Sequence, residues 1–271
     1  LDWINKIRTV ENCLTSVYNW LSVNYLALSA SKTEVIMLGT SQQLSTLQQM
    51  VTTIDVAGSS ISFNDTFKTL GVNLDPRLTF NKHVQTVCTS CSYHIRSLRH
   101  IRPLLTKDSA SMIACGIVGS RLDYCNSLFY GMSTENFTKL QRIQDNLARV
   151  VTLSTRRSTA KPLLEQLHWL PVRKRTEFKI ATIVYKAKHS GLPLYLNDKL
   201  VNKVPTKLLR SSDQKLYEIP RTSTKIGDRA FGVAAPTIWN SIPLHCQLSV
   251  RDSDSLLTFR KRLKTHFFTC C

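Results

Sequence analysis

The chain has 271 residues, 42% of them hydrophobic and 20% charged, a globular composition that excludes a disordered tail, a collagen-like repeat and a low-complexity linker. At this length one large or two modest hydrophobic cores are expected. Lys and Arg number 36 against 18 Asp and Glu, a formal charge of +18, and the excess is unevenly placed: residues 1–75 carry −2, residues 76–155 +6, residues 156–230 +11 and residues 231–271 +3.

Residues 2–23 place Ile4, Ile7, Val10 (or Glu11), Leu14, Val17 and Leu21 at spacings of three and four, with Trp20 beside them, which predicts a helix. The period then changes. Leu26-Ala-Leu28 and residues 33–38 read as short strands, the second closed by Gly39. A short polar helix is expected over residues 41–50, then strands over 51–56, 61–63 and 67–74, with Gly58-Ser59 and Asn64-Asp65 as turn signals. From Asp75-Pro76 onward the pattern is helical. Residues 79–102 put Phe80, Val84, Val87, Cys88, Cys91, Ile95, Leu98 and Ile101 on one stripe that ends at Pro103. Thr106 precedes a second helix reaching Phe129 and stopped by Gly131. Ser133 caps a third, whose buried face is Phe137, Leu140, Ile143, Leu147 and Val150. A fourth covers residues 171–189, opened by Pro171 and closed by Gly191. Residues 193–243 read as irregular, and a last helix starts at the cap Asp254 and runs through Leu256, Phe259, Leu263 and Phe267. The expected class is α+β: a small antiparallel β/α segment over residues 1–75, a helical region over 76–155 and a basic, mainly helical region over 156–271.

A near-neutral first part followed by a strongly basic remainder is the footprint of a polyanion-binding surface joined to a differently employed segment; a generically basic surface is the bland alternative. No apolar run approaches the ~20 residues that span a bilayer, and no segment separates an apolar from a cationic face as a membrane-surface helix does, so no membrane association is expected. Residues 1–6 lack the basic head and apolar stretch of a signal peptide, and Leu1 is no initiator, so the chain reads as a piece of something longer. Its eight cysteines read as reduced thiols in an intracellular compartment, since a chain this rich in apolar residues needs no staples; adjacent Cys270 and Cys271 would also bridge poorly.

The familiar catalytic constellations do not occur. There is no phosphate-binding Gly-x-x-x-x-Gly-Lys loop, no Gly-x-Ser-x-Gly elbow and no His-Glu-x-x-His helix. Asp252 and Asp254 fall at a helix start, where capping explains them. Cys88 and Cys91, with His83 and His94 near them, have zinc-like spacing. Both thiols nevertheless lie on the apolar stripe, where small buried side chains fit, so no metal is assigned.

Several longer words in fixed order carry a resemblance. Trp20-Leu-Ser-Val-Asn24, Leu26-Ala-Leu28 and Lys32-Thr-Glu34, then Phe67-Lys-Thr-Leu-Gly-Val-Asn-Leu-Asp75, resemble the end of the palm and the primer-grip hairpin in reverse transcriptases of LINE-type (non-LTR) retrotransposons. Ser120-Arg-Leu-Asp-Tyr-Cys-Asn-Ser127, Leu140-Gln-Arg-Ile-Gln-Asp-Asn-Leu-Ala-Arg149, Leu167-His-Trp-Leu-Pro-Val-Arg173, Ala235-Pro-Thr-Ile-Trp-Asn-Ser-Ile-Pro243 and Phe259-Arg-Lys-Arg-Leu-Lys-Thr-His266 are similar to the C-terminal half of jockey-superfamily elements. The resemblance spans essentially the whole chain. It implies the end of a palm, a thumb and a C-terminal domain of an RNA-directed DNA polymerase, working on template RNA and primer DNA in cytoplasm and nucleus. The endonuclease, the fingers and the palm strand whose Asp pair holds two magnesium ions would precede Leu1, so this chain alone would be inactive and carry no cofactor. Ser29 departs from the usual Asn, as a decayed copy would.

The resemblance implies that Lys32 lies near the leaving pyrophosphate, where a mobile cation serves as an auxiliary general acid; a solvated lysine beside Glu34 is the other reading. The hairpin with Lys68 and Gly71 would hold the primer end by close backbone approach, or is a plain edge hairpin. Read from the residues themselves, Arg96, Arg99 and Arg102 recur every three positions beside the apolar stripe and form a row that can follow duplex phosphates. Arg142 and Arg149 lie two turns apart on the third helix. Arg156 and Arg157 open the most basic region, and Arg173, Lys174 and Arg175 start the fourth helix. The Trp- and Pro-rich words read as packing at helix junctions rather than as base-stacking platforms. An RNA- or DNA-binding module without a polymerase role, and a noncatalytic helical interaction protein, remain the alternatives.

Overall fold

A computed structural model of the chain describes residues 2–204, 216–242 and 250–269; Pro243, Cys270 and Cys271 lie outside the described residues. Helices dominate, with two small antiparallel sheets, an α+β composition. The chain divides into two units, Leu1–His83 and Val84–Cys271. The first extends past residue 75, and the regions expected over 76–155 and 156–271 share the second. Among the described residues no helix is long and apolar enough to cross a membrane.

In the first unit, α1 (Asp2–Val23) half-buries Ile7, Leu14 and Leu21 but leaves Val10, Val17 and Trp20 exposed. It packs on β1 (Thr53–Val56), where the Glu11 carboxylate accepts from the Asp55 N–H at 3.1 Å. Helix α2 (Ser41–Met50) opens with a capping box: Thr40 Oγ1 accepts from Gln43 N–H, and Gln43 Oε1 accepts from Thr40 N–H. β1 pairs with β2 (Ser59–Ser62), and β3 (Phe67–Thr69) with β4 (Val72–Leu74). Each hairpin has a two-residue turn with both centres left-handed, Ala57-Gly58 and Leu70-Gly71, the geometry that suits the strand twist. The first turn thus falls one residue before Gly58-Ser59. The strands expected at Leu26-Ala-Leu28 and over residues 33–38 do not form. A strand needs a neighbour for its backbone bonds, and in this stretch only Val35 finds one, a single bridge to Phe63. Asp75 then organises the chain ahead of the next helix: its carboxylate accepts from the N–H groups of Arg77, Thr79 and Phe80. Buried His83 accepts from the Asn73 N–H through Nδ1 at 3.4 Å.

The unit division falls inside α3 (Asn81–Ile101). After it come α4 (Lys107–Ala114), α5 (Ser120–Asp123), α6 (Thr134–Val151), α7 (Ala160–Gln166), α8 (Val172–Ser190), α9 (Leu194–Asn197), α10 (Phe231–Ser241) and α11 (Leu256–Thr269). The single helix expected from Thr106 to Phe129 is broken. Gly116 and Gly119 sit in a π-turn, Cys115–Gly119, and Cys125 is left-handed. Glycine weakens a helix interior, and the carbonyls left over by the wide turn accept from the side chains of Ser120 and Arg121. Helices α7, α9 and α10 go beyond the expected elements. The first two are short, and α10 buries Ala234, Ala235, Ile238 and Trp239 around Pro236, so it shows no polar stripe. The last helix is capped by Ser255, whose Oγ accepts from the Thr258 N–H, and not by Asp254.

The core of the second unit gathers Ile180, Val184, Trp239, Ile242, Phe259 and Leu263. Polar side chains fix its junctions. Fully buried Gln144 donates to the Leu170 carbonyl at 2.9 Å, and Gln141 Oε1 accepts from the Val172 N–H, so α6 holds the start of α8. Asn240 clamps the Tyr217 backbone through both its N–H and its carbonyl. Gly131 is required twice, by φ +71° and because a Cβ would stand 2.6 Å from Arg229 Cγ.

Three helix ends close by the paired 6→1 and 5→2 backbone bonds usually made over glycine, yet with Tyr25, Leu153 and His168 in the left-handed position. Leu153 is 64% exposed, so its replacement loses little packing. Relief of roughly 1–2 kcal/mol of left-handed strain outweighs the roughly 0.5–1 kcal/mol that a more flexible glycine costs through the unfolded chain. Urea unfolding of Leu153→Gly should therefore show a gain of about 0.5–1 kcal/mol. An unchanged or lower midpoint would contradict this account of the turn.

Candidate nucleic-acid interface

The C-terminal halves of α3 and α6 line an open groove of about 750 Å³ in the second unit. Arg96 and Arg99 come from α3, Arg102 from the 3₁₀ turn that follows it, Arg149 from the last turn of α6, and Arg156 from the segment beyond. No carboxylate lines it. The floor is apolar, with Ile95, Ile143 and Val150 all buried. Arginine near a helix C-terminus is favoured by the exposed carbonyls there, which helps to explain why Arg99 and Arg149 sit at these ends.

The five arginines differ in employment. Arg102 is buried at 6% exposure. Its Nε and Nη2 donate to the Val151 carbonyl at 2.9 and 2.7 Å, and its Nη1 donates to the Leu105 carbonyl at 2.7 Å. It does not continue the exposed row with Arg96 and Arg99; it ties the end of α3 to the end of α6. Arg149 is half-buried, donating to the Ser158 carbonyl and to Asn146 Oδ1. Arg96, Arg99 and Arg156 are exposed, with no protein partner among the described residues. Arg142, on α6, and Arg157 are exposed but lie outside the groove lining.

The triplet at the start of α8 is committed elsewhere. Arg173 lies over the Phe137 ring at 4.5 Å and donates to Thr134. Lys174 pairs with Glu177 at 2.9 Å and lies over Phe267. Arg175 forms a two-point ion pair with Asp123. These three build the junction of α8 with α5, α6 and α11, which the sequence pattern alone did not disclose.

In the first unit, Lys32 ends a 3₁₀ turn, Ala30–Lys32, and is exposed. Lys68 is exposed on β3 opposite Asn73. Gly71 occupies the turn with φ 81°, a conformation that by itself accounts for glycine. The residues present do not fit a magnesium pair: among the described residues no three carboxylate, imidazole or thiol groups come together to hold a metal ion. Cys91 is fully buried, and desolvation pushes its thiol up to about 11, with Cys88 adding to the rise. In this environment the thiol is neutral and packs as a small apolar group. Cys13, Cys88, Cys91, Cys115 and Cys125 are free thiols.

Comparison with known protein families, with characterised proteins and with solved structures yields no match.

The division of labour is measurable as stability. Arg102→Ala leaves two carbonyls without their charged donor and should cost about 2–4 kcal/mol in urea unfolding. Arg102→Lys should recover less than half, because a point charge cannot reproduce the fork. Arg96→Ala should stay within about 0.5 kcal/mol of the parent. Equal losses at positions 96 and 102 would contradict the assignment.

Proposed function

We infer that this chain is the nucleic-acid-gripping portion of a LINE-type reverse transcriptase: the end of the palm with a primer-grip-like hairpin, a thumb and a basic C-terminal domain. It would hold template RNA and primer DNA and be inactive by itself. The observation that carries the reading is the groove, where Arg96, Arg99 and Arg156 are free and no carboxylate competes for them. A phosphate backbone supplies the missing counter-charge, and binding to it needs shape and charge rather than base contacts. A second observation supports the missing upstream palm. Val10, Val17 and Trp20 of α1 are 48%, 44% and 62% exposed, an apolar face that further chain would cover. Under this reading the sequence words mark contacts within the fold. Asp123 from one meets Arg175 following another, and Gln141 and Gln144 hold Leu170 and Val172.

The alternative of a binding module without polymerase context draws on the same groove, whose cations all come from the second unit. Both readings expect strong salt dependence, with log K falling against log salt by about 0.9 for each phosphate neutralised on duplex DNA. Replacing Arg96, Arg99 and Arg156 one at a time with Gln should flatten that slope by about one unit each while leaving thermal unfolding unchanged. Given primer-template, nucleotides and magnesium, the chain should not extend the primer. A slope near zero in the parent would remove the nucleic-acid reading, and extension above a control lacking the chain would overturn the fragment reading.

A further inference from the structure

A second cationic cavity, of about 420 Å³, is lined by α8 and α11, with Asp123, Asn126, His168, Trp169 and Leu170 also at its wall. Its charge comes from Lys179 on α8 and from Arg260, Lys261 and Lys264 on α11. Lys264 lies four residues after Arg260 and three after Lys261, so it neighbours both on the helix surface. None of the four has a carboxylate partner among the described residues. The one acid in the lining, Asp123, is already engaged by both ends of the Arg175 guanidinium. Four cations therefore face one cavity without neutralisation, next to a rigid ion pair that cannot supply it.

Two more features of the wall bear on the ligand. Asn126, 3% exposed, donates from Nδ2 to Asp123 Oδ1 at 3.2 Å and steadies that ion pair. Burial, and after it the charge of Arg175, holds the Lys264 ammonium below its ordinary range; an arriving anion offsets that loss by pairing with it.

We propose that this cavity is a binding site for a phosphate group, distinct from the α3/α6 groove, in which Lys179, Arg260, Lys261 and Lys264 take the phosphate. The phosphate is that of a free sugar phosphate or of one nucleotide of an RNA strand. The site does not depend on the groove, because it shares none of the groove's residues.

Cys115 lines the same cavity and is exposed, so its alkylation, followed residue by residue by mass spectrometry, reports occupancy. Ribose 5-phosphate and a short single-stranded RNA are the two probes. Either should slow alkylation of Cys115 in a saturable way while leaving exposed Cys13 unaffected. Protection by both assigns a site that accepts the free sugar phosphate; protection by RNA alone assigns the strand. In Lys261→Gln/Lys264→Gln the half-protecting concentration should rise by about tenfold or more for each lost charged contact. In Arg96→Gln/Arg99→Gln, Cys115 should be protected by ribose 5-phosphate as in the parent, even if those variants lose RNA in the groove. No protection of Cys115 by either probe, or equal protection in the Lys261→Gln/Lys264→Gln variant with its circular dichroism unchanged, would overturn the site.

Discussion

The fork of Arg102 on the Val151 carbonyl is the contact on which the basic groove depends. Helix α3 ends where Arg102 begins a 3₁₀ turn, and α6 ends at Val151; one guanidinium satisfies the last carbonyl of α6 and folds the turn after α3 onto it. A helix end buried without such a partner leaves its carbonyls unpaid for hydrogen bonding. The charge is drawn inward because it has three good acceptor contacts, and the helices are thereby held at their ends. Side by side above that tie, their flanks open into the groove that Arg96, Arg99 and Arg156 line.

The same logic separates building cations from available ones throughout the second unit. Arg175 holds α5 to α8 through Asp123, Arg229 donates to the Leu128 and Tyr130 carbonyls beside Gly131, and Arg121 donates to Ser90 and Ile117. Each uses a planar, permanently charged fork for which lysine is a poor substitute. A chain with this much positive charge thus spends part of it internally, on carbonyls at helix ends and on the few carboxylates it has. Of what remains, two groups share a cavity, one in the α3/α6 groove and one between α8 and α11, while others such as Arg142 and Arg157 are exposed outside both. Net charge alone would have suggested a uniformly basic surface.

Most helices of the second unit were legible because their apolar residues recur at helical spacing and bury as that spacing requires: Phe137, Leu140, Ile143, Leu147 and Val150 on α6, and Phe259, Leu263 and Phe267 on α11. Ser133 and Gly191 end their helices as their chemistry demands. What stayed hidden depends on partners distant in sequence. Helix α10 shows no periodic pattern because much of its length is buried. The strands expected before residue 39 failed because local propensity cannot supply a neighbouring strand. Among the site residues, the spacing of Arg96, Arg99 and Arg102 predicted a row, but 49 residues separate Arg102 from the carbonyl that captures it. For Arg260, Lys261 and Lys264 the charge run was visible, and only the packing of α8 against α11 shows the cavity that it faces.

The central claim is that polyanion binding is localised by which arginines the fold leaves unpaired. Photo-crosslinking of thiouridine-substituted RNA to the chain, followed by peptide mapping, tests it most directly. The account predicts that crosslinks concentrate on peptides covering residues 92–103 and 143–156, with a secondary set on 257–264, and that the start of α8 at Arg173, Lys174 and Arg175 stays unlabelled. Crosslinks centred on that triplet, or spread over the chain in proportion to its positive charge, would contradict it.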